Sequence, residues 1–205
     1  MALQPSLRGL VIAGTLDSPH TLDIFLDYVC PFSAKIARAM DSVLVPLLGP
    51  GGKYHGKVKA IFRPQVQPWH ASSTYVHEAG IAVARASPES FWAFSLELFR
   101  RQEEYFDSAV EKKTPSQIRS SLASLAAGIL PPKAALVVAD LIALAGPGNG
   151  GTAVSNDLKY TIKFARQNGI HVSPTVLWDG LIANEISSSW AEKEWTEFLT
   201  AKVAL

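Results

Sequence analysis

The sequence predicts an α/β fold in which a mixed sheet is split by a long helical block. Three observations carry this reading: a strand–helix–strand unit over residues 21–63, helical signatures throughout 71–149, and a closing helix–hairpin–helix segment. The chain has 205 residues, of which 48% are hydrophobic and 18% charged. That mix supports one domain, or one domain with a large insertion, and excludes a disordered tail or a coiled coil.

Residues 21–29 (TLDIFLDYV) are rich in β-branched and aromatic side chains, the signature of a strand. They run into Cys30-Pro31-Phe32-Ser33, and residues 34–45 then have helical spacing through Ile36, Met40 and Leu44. Proline suits the first helical position, because the N–H it lacks would have no partner there. Pro46 is expected to break this helix, with Gly49-Pro50-Gly51-Gly52 completing the turn. Residues 58–62 (VKAIF) form a second strand, so the unit implies a parallel pair with a right-handed crossover.

The pattern is helical from Ala71 onward. One helix is expected over 74–86, and Ser87-Pro88 is expected to cap and open a second over 89–106. Thr114-Pro115-Ser116-Gln117 has the capping-box pattern and opens a helix over 116–127. Pro131-Pro132 opens another, ending near Ala145, and GPGNGG at 146–151 reads as a flexible linker. A helix over 152–167 is closed by Asn168-Gly169. Residues 175–178 and 181–183 are strands joined by an Asp179-Gly180 hairpin turn, and a helix over 188–204 ends the chain. The outer segments, 1–70 and 150–205, are thus one discontinuous domain with four expected strands, and 71–149 is a helical insertion.

Cys30 is the sole cysteine, so no intramolecular disulfide and no cysteine-built metal cage exist, and no metal site is expected. It follows an apolar strand at the first turn of a helix, where unpaired backbone N–H groups and the helix dipole favour a thiolate. A lone cysteine is otherwise a small core hydrophobe, but here the strand–turn–helix context and Pro31 point to an exposed or semi-exposed nucleophile. Ser33, one helical turn on, is positioned either to hydrogen-bond the sulfur or to serve as a plain first-turn serine. Gln67-Pro68-Trp69-His70 follows the second strand at the sheet edge where α/β folds place ligands. His70 reads either as a base or donor beside the thiol or as a helix-end cap with Trp69 in the core; His77 reads as structural. His171 is a candidate site wall. The aromatic set Phe91, Trp92, Phe94, Phe99, Tyr105 and Phe106 reads as core and pocket roof.

Cys-Pro-x-x at a helix start, the βαβ unit and Val172-Ser173-Pro174-Thr175 leading into a hairpin together resemble a thioredoxin-like fold. The intervening helices resemble the DsbA-like and kappa-class glutathione transferase branch, and the resemblance spans about residues 21–199. It implies a cis bond before Pro174, a Pro174 that faces Cys30, and a Ser173 backbone that pairs with an extended peptide or glutathione as a short added strand. Together with the positional readings above, this makes Pro31, Phe32, Trp69, His70, His171, Ser173 and Pro174 the expected binding residues, with Cys30 and Ser33 expected to be catalytic.

Ser33 stands where a dithiol enzyme has its second cysteine. Serine cannot attack a mixed disulfide, so a two-cysteine cycle is closed to this chain. The leading expectation is monothiol oxidoreductase chemistry at Cys30, with glutathione as co-substrate. The alternatives are a kappa-type glutathione transferase or isomerase acting on an apolar small molecule, and a non-catalytic binding module. Substrates are then small-molecule or peptide thiols, disulfides or electrophiles. Nineteen basic against eighteen acidic residues give no footprint for nucleic acid or an anionic membrane. GLVIAG at 9–14 is too short for a signal core, and Pro131, Pro132, Lys133 and Asp140 interrupt the apolar region 122–146. One unpaired thiol makes the cytoplasm the expected compartment. The oligomeric state is open, a homodimer included.

Overall fold

The computed structural model describes residues 3–203; residues 1–2 and 204–205, with the expected helix end at Ala204, lie outside the described residues. Five strands form one sheet: β1 (Val11–Ala13), β2 (His20–Leu26), β3 (Val58–Pro64), β4 (Thr175–Trp178) and β5 (Leu181–Ile182). Their order is β1-β3-β2-β4-β5. Only β2 and β3 run parallel; the remaining pairs are antiparallel. The four expected strands share the sheet, and β1 is an addition to them. It has three residues on the sheet edge and a register irregularity, too short a run to carry an alternating pattern.

The central strands are buried along nearly their whole length, as inner parallel strands covered on both faces must be. They nevertheless carry charge. Arg63 Nε on β3 donates to Asp23 Oδ1 on β2 at 2.7 Å, both side chains being buried. The Arg63 guanidinium also lies 4.6 Å from the Phe164 ring centre. Leu26 pairs with Pro64 and Phe25 with Thr175, so the ends of β2 and β3 meet the start of β4 at one end of the sheet.

After β2 the chain enters α1 (Pro31–Ala39), a π-helical turn (Met40–Leu44) and α2 (Val45–Leu48). Pro46 therefore does not break the helix. The wide π turn restarts the ladder at Val45, which places Pro46 in a first turn where no N–H is needed. The helical block holds α3 (Ser73–Ala86), α4 (Phe91–Arg100), α5 (Asp107–Val110), α6 (Pro115–Ala127) and α7 (Pro132–Leu141). In place of one helix over 89–106, α4 is flanked by 3₁₀ turns at Pro88–Ser90 and Gln102–Tyr105. The Ser87 hydroxyl meets Glu89 and Ser90 side chains instead of capping the backbone. The capping box of α6 is complete: Thr114 Oγ1 accepts from Gln117 N–H at 3.2 Å, and Gln117 Oε1 from Thr114 N–H at 2.8 Å.

The block is fastened to the sheet through Tyr28. Its ring stacks on Phe62 of β3, touches His77 of α3 and Phe99 of α4, and its hydroxyl meets Ser95 Oγ at 2.8 Å. A side chain on Gly80 would put Cβ 2.6 Å from the Tyr28 oxygen, so α3 can lie this close only with glycine there. α7 stops at Leu141, short of Ala145, and the segment 146–151 is a closed loop, because Leu144 and Thr152 bridge across it. α8 (Ser155–Gln167) starts after Thr152 N–H bonds Ser155 Oγ, and α9 (Glu192–Val203) starts four residues later than expected. Asp179 (φ 49°) and Gly180 (φ 88°) form the β4–β5 turn, both left-handed as such hairpins require. Among the described residues no helix is long and apolar enough to cross a membrane.

Candidate active site

Where β2 ends, Asp27 turns inward with no exposed surface. Its Oδ1 accepts from Val29 N–H at 3.1 Å and the Ser73 hydroxyl at 3.0 Å. Its Oδ2 accepts from His70 Nδ1 at 2.7 Å and Gln67 N–H at 3.3 Å. His77 Nε2 lies 3.4 Å from Oδ1 and is fully buried against Tyr28. Burial pushes this carboxyl upward, but bonds from His77, the His77 charge, and bonds from His70 and Val29 N–H outweigh it and hold the pKa below the ordinary value. The tight turn closed by Cys30 N–H on Asp27 carbonyl, 3.1 Å, then delivers the cysteine to the helix start.

Cys30 is the N-cap of α1, with Pro31 in the first turn. It is 7% exposed, more enclosed than a semi-exposed thiol. Its thiol donates to the Ser173 carbonyl at 3.5 Å, across the sheet end. The Ser173–Pro174 peptide is cis. From the helical block, Gln102 Nε2 donates to the carbonyls of Tyr28 (2.9 Å) and Cys30 (3.3 Å) and so fixes the loop from its far side.

Ser33 makes no hydrogen bond to the sulfur. It points under the turn, fully buried, where its oxygen accepts from Asp27 N–H at 3.2 Å. The helical geometry of the first turn aims it at the end of β2, away from the mouth, so its place is that of a structural serine.

His70 is held by Asp27 through Nδ1 and lines a cavity of about 410 Å³ with Val29, Pro31, Phe106, Asp107 and Ser108. Trp69 is not core: it is 59% exposed at the tip of a turn closed by His70 N–H on Gln67 carbonyl. Phe32 (63%) and Val172 (56%) are similarly exposed beside Cys30 and Ser173 in the chain. His171 and Trp69 line a separate cavity of about 230 Å³ together with Arg166. Gln67 separates Asp27 from the Ser173 loop. With its amide oxygen turned to Ser173, it accepts from that N–H at 2.8 Å, and its amide nitrogen donates to the His171 carbonyl at 3.3 Å. Among the described residues no group of three or more His, Cys, Asp and Glu side chains has a metal-holding arrangement.

Sequence reasoning missed Asp27 and Gln102, and it marked the segment that opens with Gln67 without giving that residue a role. One signal pointed to Asp27: an acid closing an apolar strand three residues before the cysteine.

No family model matches the sequence, and no curated protein matches it significantly. Solved structures do match. One from Pseudomonas syringae, provisionally described as a protein-disulfide isomerase, is 26% identical with a TM-score of 0.72, covering 95% of this chain and 99% of its own. BdbD from Bacillus subtilis, in its oxidised form, is 18% identical with a TM-score of 0.63, covering 98% and 97%. The thiol-disulfide oxidoreductase MdbA from Actinomyces oris is 18% identical with a TM-score of 0.65, covering 98% and 93%.

Proposed function

The chain carries a DsbA-like thioredoxin fold, and from that premise we propose that it is a thiol-disulfide oxidoreductase working through a single thiol. The observation that supports this most is the placement of Cys30: at a helix N-cap, bonded to the Ser173 carbonyl beside Pro174. The description of the matching MdbA structure as a thiol-disulfide oxidoreductase favours the same chemistry.

In this reading, the Cys30 thiol gives up its proton and the helix start stabilises the anion. His70, held by Asp27 through Nδ1 and lining the cavity beside Pro31, is the proton acceptor in this reading. The thiolate attacks one sulfur of a disulfide R–S–S–R. The Cys30–S–S–R bond forms, the substrate S–S bond breaks, and RS⁻ leaves and takes up the proton. Because position 33 is serine, resolution needs a second thiol from outside the chain. Glutathione fits that role: its thiolate attacks the sulfur carried by Cys30, and the Cys30 thiolate is released.

Incubation with glutathione disulfide followed by mass spectrometry tests this. One glutathionyl group on Cys30, removed by excess reduced glutathione, is the expected result, and Cys30→Ser should abolish it. Retention of exchange activity in Cys30→Ser would overturn the assignment.

A further inference from the structure

The residue before a proline is held extended, so the N–H and C=O of Ser173 lie along one edge. These are the two groups with which an added strand would exchange hydrogen bonds. Both are already engaged within the chain. The C=O accepts from the Cys30 thiol at 3.5 Å, and the end of the Gln67 amide lies 2.8 Å from the N–H, which it accepts when the amide is oriented so that its oxygen meets the Ser173 donors and its nitrogen the His171 carbonyl.

The two engagements differ in kind. The thiol bond is long and disappears when Cys30 ionises, so the carbonyl is released during reaction. The Gln67 bond has no such exit. Gln67 is 1% exposed, its amide nitrogen is tied to the His171 carbonyl, and its own N–H lies 3.3 Å from both Asp27 Oδ2 and Ser73 Oγ. A buried side chain pinned at both ends keeps the Ser173 N–H closed throughout.

We infer that Gln67 is a specificity-determining residue that shuts the Ser173 edge to extended peptide backbones, so that Cys30 exchanges with compact disulfides that need no strand pairing. The exposed Phe32, Trp69 and Val172, one on each segment that forms the site, give such a substrate apolar contact in place of backbone bonds. This inference rests on the thiol-exchange reading and names its substrate class. It also narrows the expected docking role of Ser173 from two backbone bonds to its carbonyl alone.

The test compares two disulfides, bis(2-hydroxyethyl) disulfide and a short extended peptide disulfide, by their second-order rates of mixed-disulfide formation with release of one thiol. Gln67→Met keeps the side-chain length and removes the acceptor, freeing the Ser173 N–H. The peptide-to-small rate ratio should rise about tenfold in Gln67→Met, the scale set by one freed amide bond. An unchanged ratio, with both disulfides still reacting, overturns the inference and leaves thiol exchange standing. If the unaltered chain reacts with neither disulfide, thiol exchange falls and the inference falls with it. Should the variant fail to fold, amide hydrogen exchange in the unaltered chain decides. Ser173 N–H should be protected at least about tenfold relative to an open amide, and an unprotected amide overturns the inference.

Discussion

Asp27 shows how a charge survives without solvent. Every lone pair that burial strips of water is met by a donor from a different segment: the turn at Val29, the loop at Gln67 and His70, and α3 at Ser73. Replacing it with alanine leaves those donors buried and unpaired, at about 1–3 kcal/mol each. Asp27→Ala should therefore lower stability by about 3 kcal/mol or more, read as a fall in the urea midpoint at pH 7. The sign of the pH dependence follows from the lowered pKa. The stabilisation from this carboxylate is complete above its unfolded value of about 3.9 and is lost as pH falls through the lower folded value. As pH falls below about 4 the destabilisation caused by Asp27→Ala should shrink; a penalty that stays constant while the carboxyl takes up its proton would contradict the assignment.

Elements were legible where their signals are local. The apolar run of β2, the capping box of α6 and the Asp179-Gly180 turn each depend on a few neighbouring residues, and the structure has all three. Elements set by tertiary packing were not. β1 exists because β3 offers it an edge, and the π turn places Pro46 in the first turn of α2, where its missing N–H costs nothing. The same division runs through the site. Cys30-Pro31 and Ser173-Pro174 stand out in the sequence, whereas Asp27 and Gln67 acquire roles only when the ends of three strands converge. The pair Asp23–Arg63 is a further case, since two charges in adjacent apolar strands give no local sign that they meet. Breaking it with Asp23→Ala strands a buried guanidinium and should cost about 3–5 kcal/mol in chemical denaturation. The double variant Asp23→Leu/Arg63→Met should recover most of that loss. Equal instability of single and double variants would mean that the pair is not what holds these strands.

At the scale of the whole molecule, the helical block and the sheet share one wall. Tyr28 is packed by residues of β3, α3 and α4, and Gln102 reaches from the block to the carbonyls on either side of Val29. The block is therefore a fixed buttress of the thiol loop. Gly80→Ala tests the closeness of that wall. A helix interior ordinarily gains up to about 1 kcal/mol from this change. Here the methyl group meets the Tyr28 ring, and overpacking of that kind costs about 1–3 kcal/mol. A lower melting temperature together with altered Cys30 exchange is expected; a raised melting temperature would show that α3 can move away from Tyr28 freely.

The loop at 146–151 cuts the sheet unevenly. The chain before it supplies β1, β3 and β2 together with Cys30, Asp27 and His70, while the chain after it supplies β4, β5 and the Ser173–Pro174 loop. The loop itself is exposed and rich in glycine, a natural point for a protease nick. The molecule is thus already laid out for splitting in two. A single cleavage there should leave two pieces that stay together through the β2–β4 pairing, with Cys30 on one and the Ser173 carbonyl it faces on the other. Each purified alone should be inert toward disulfides, and mixing them should restore exchange, so that recovered activity measures the closing of the sheet.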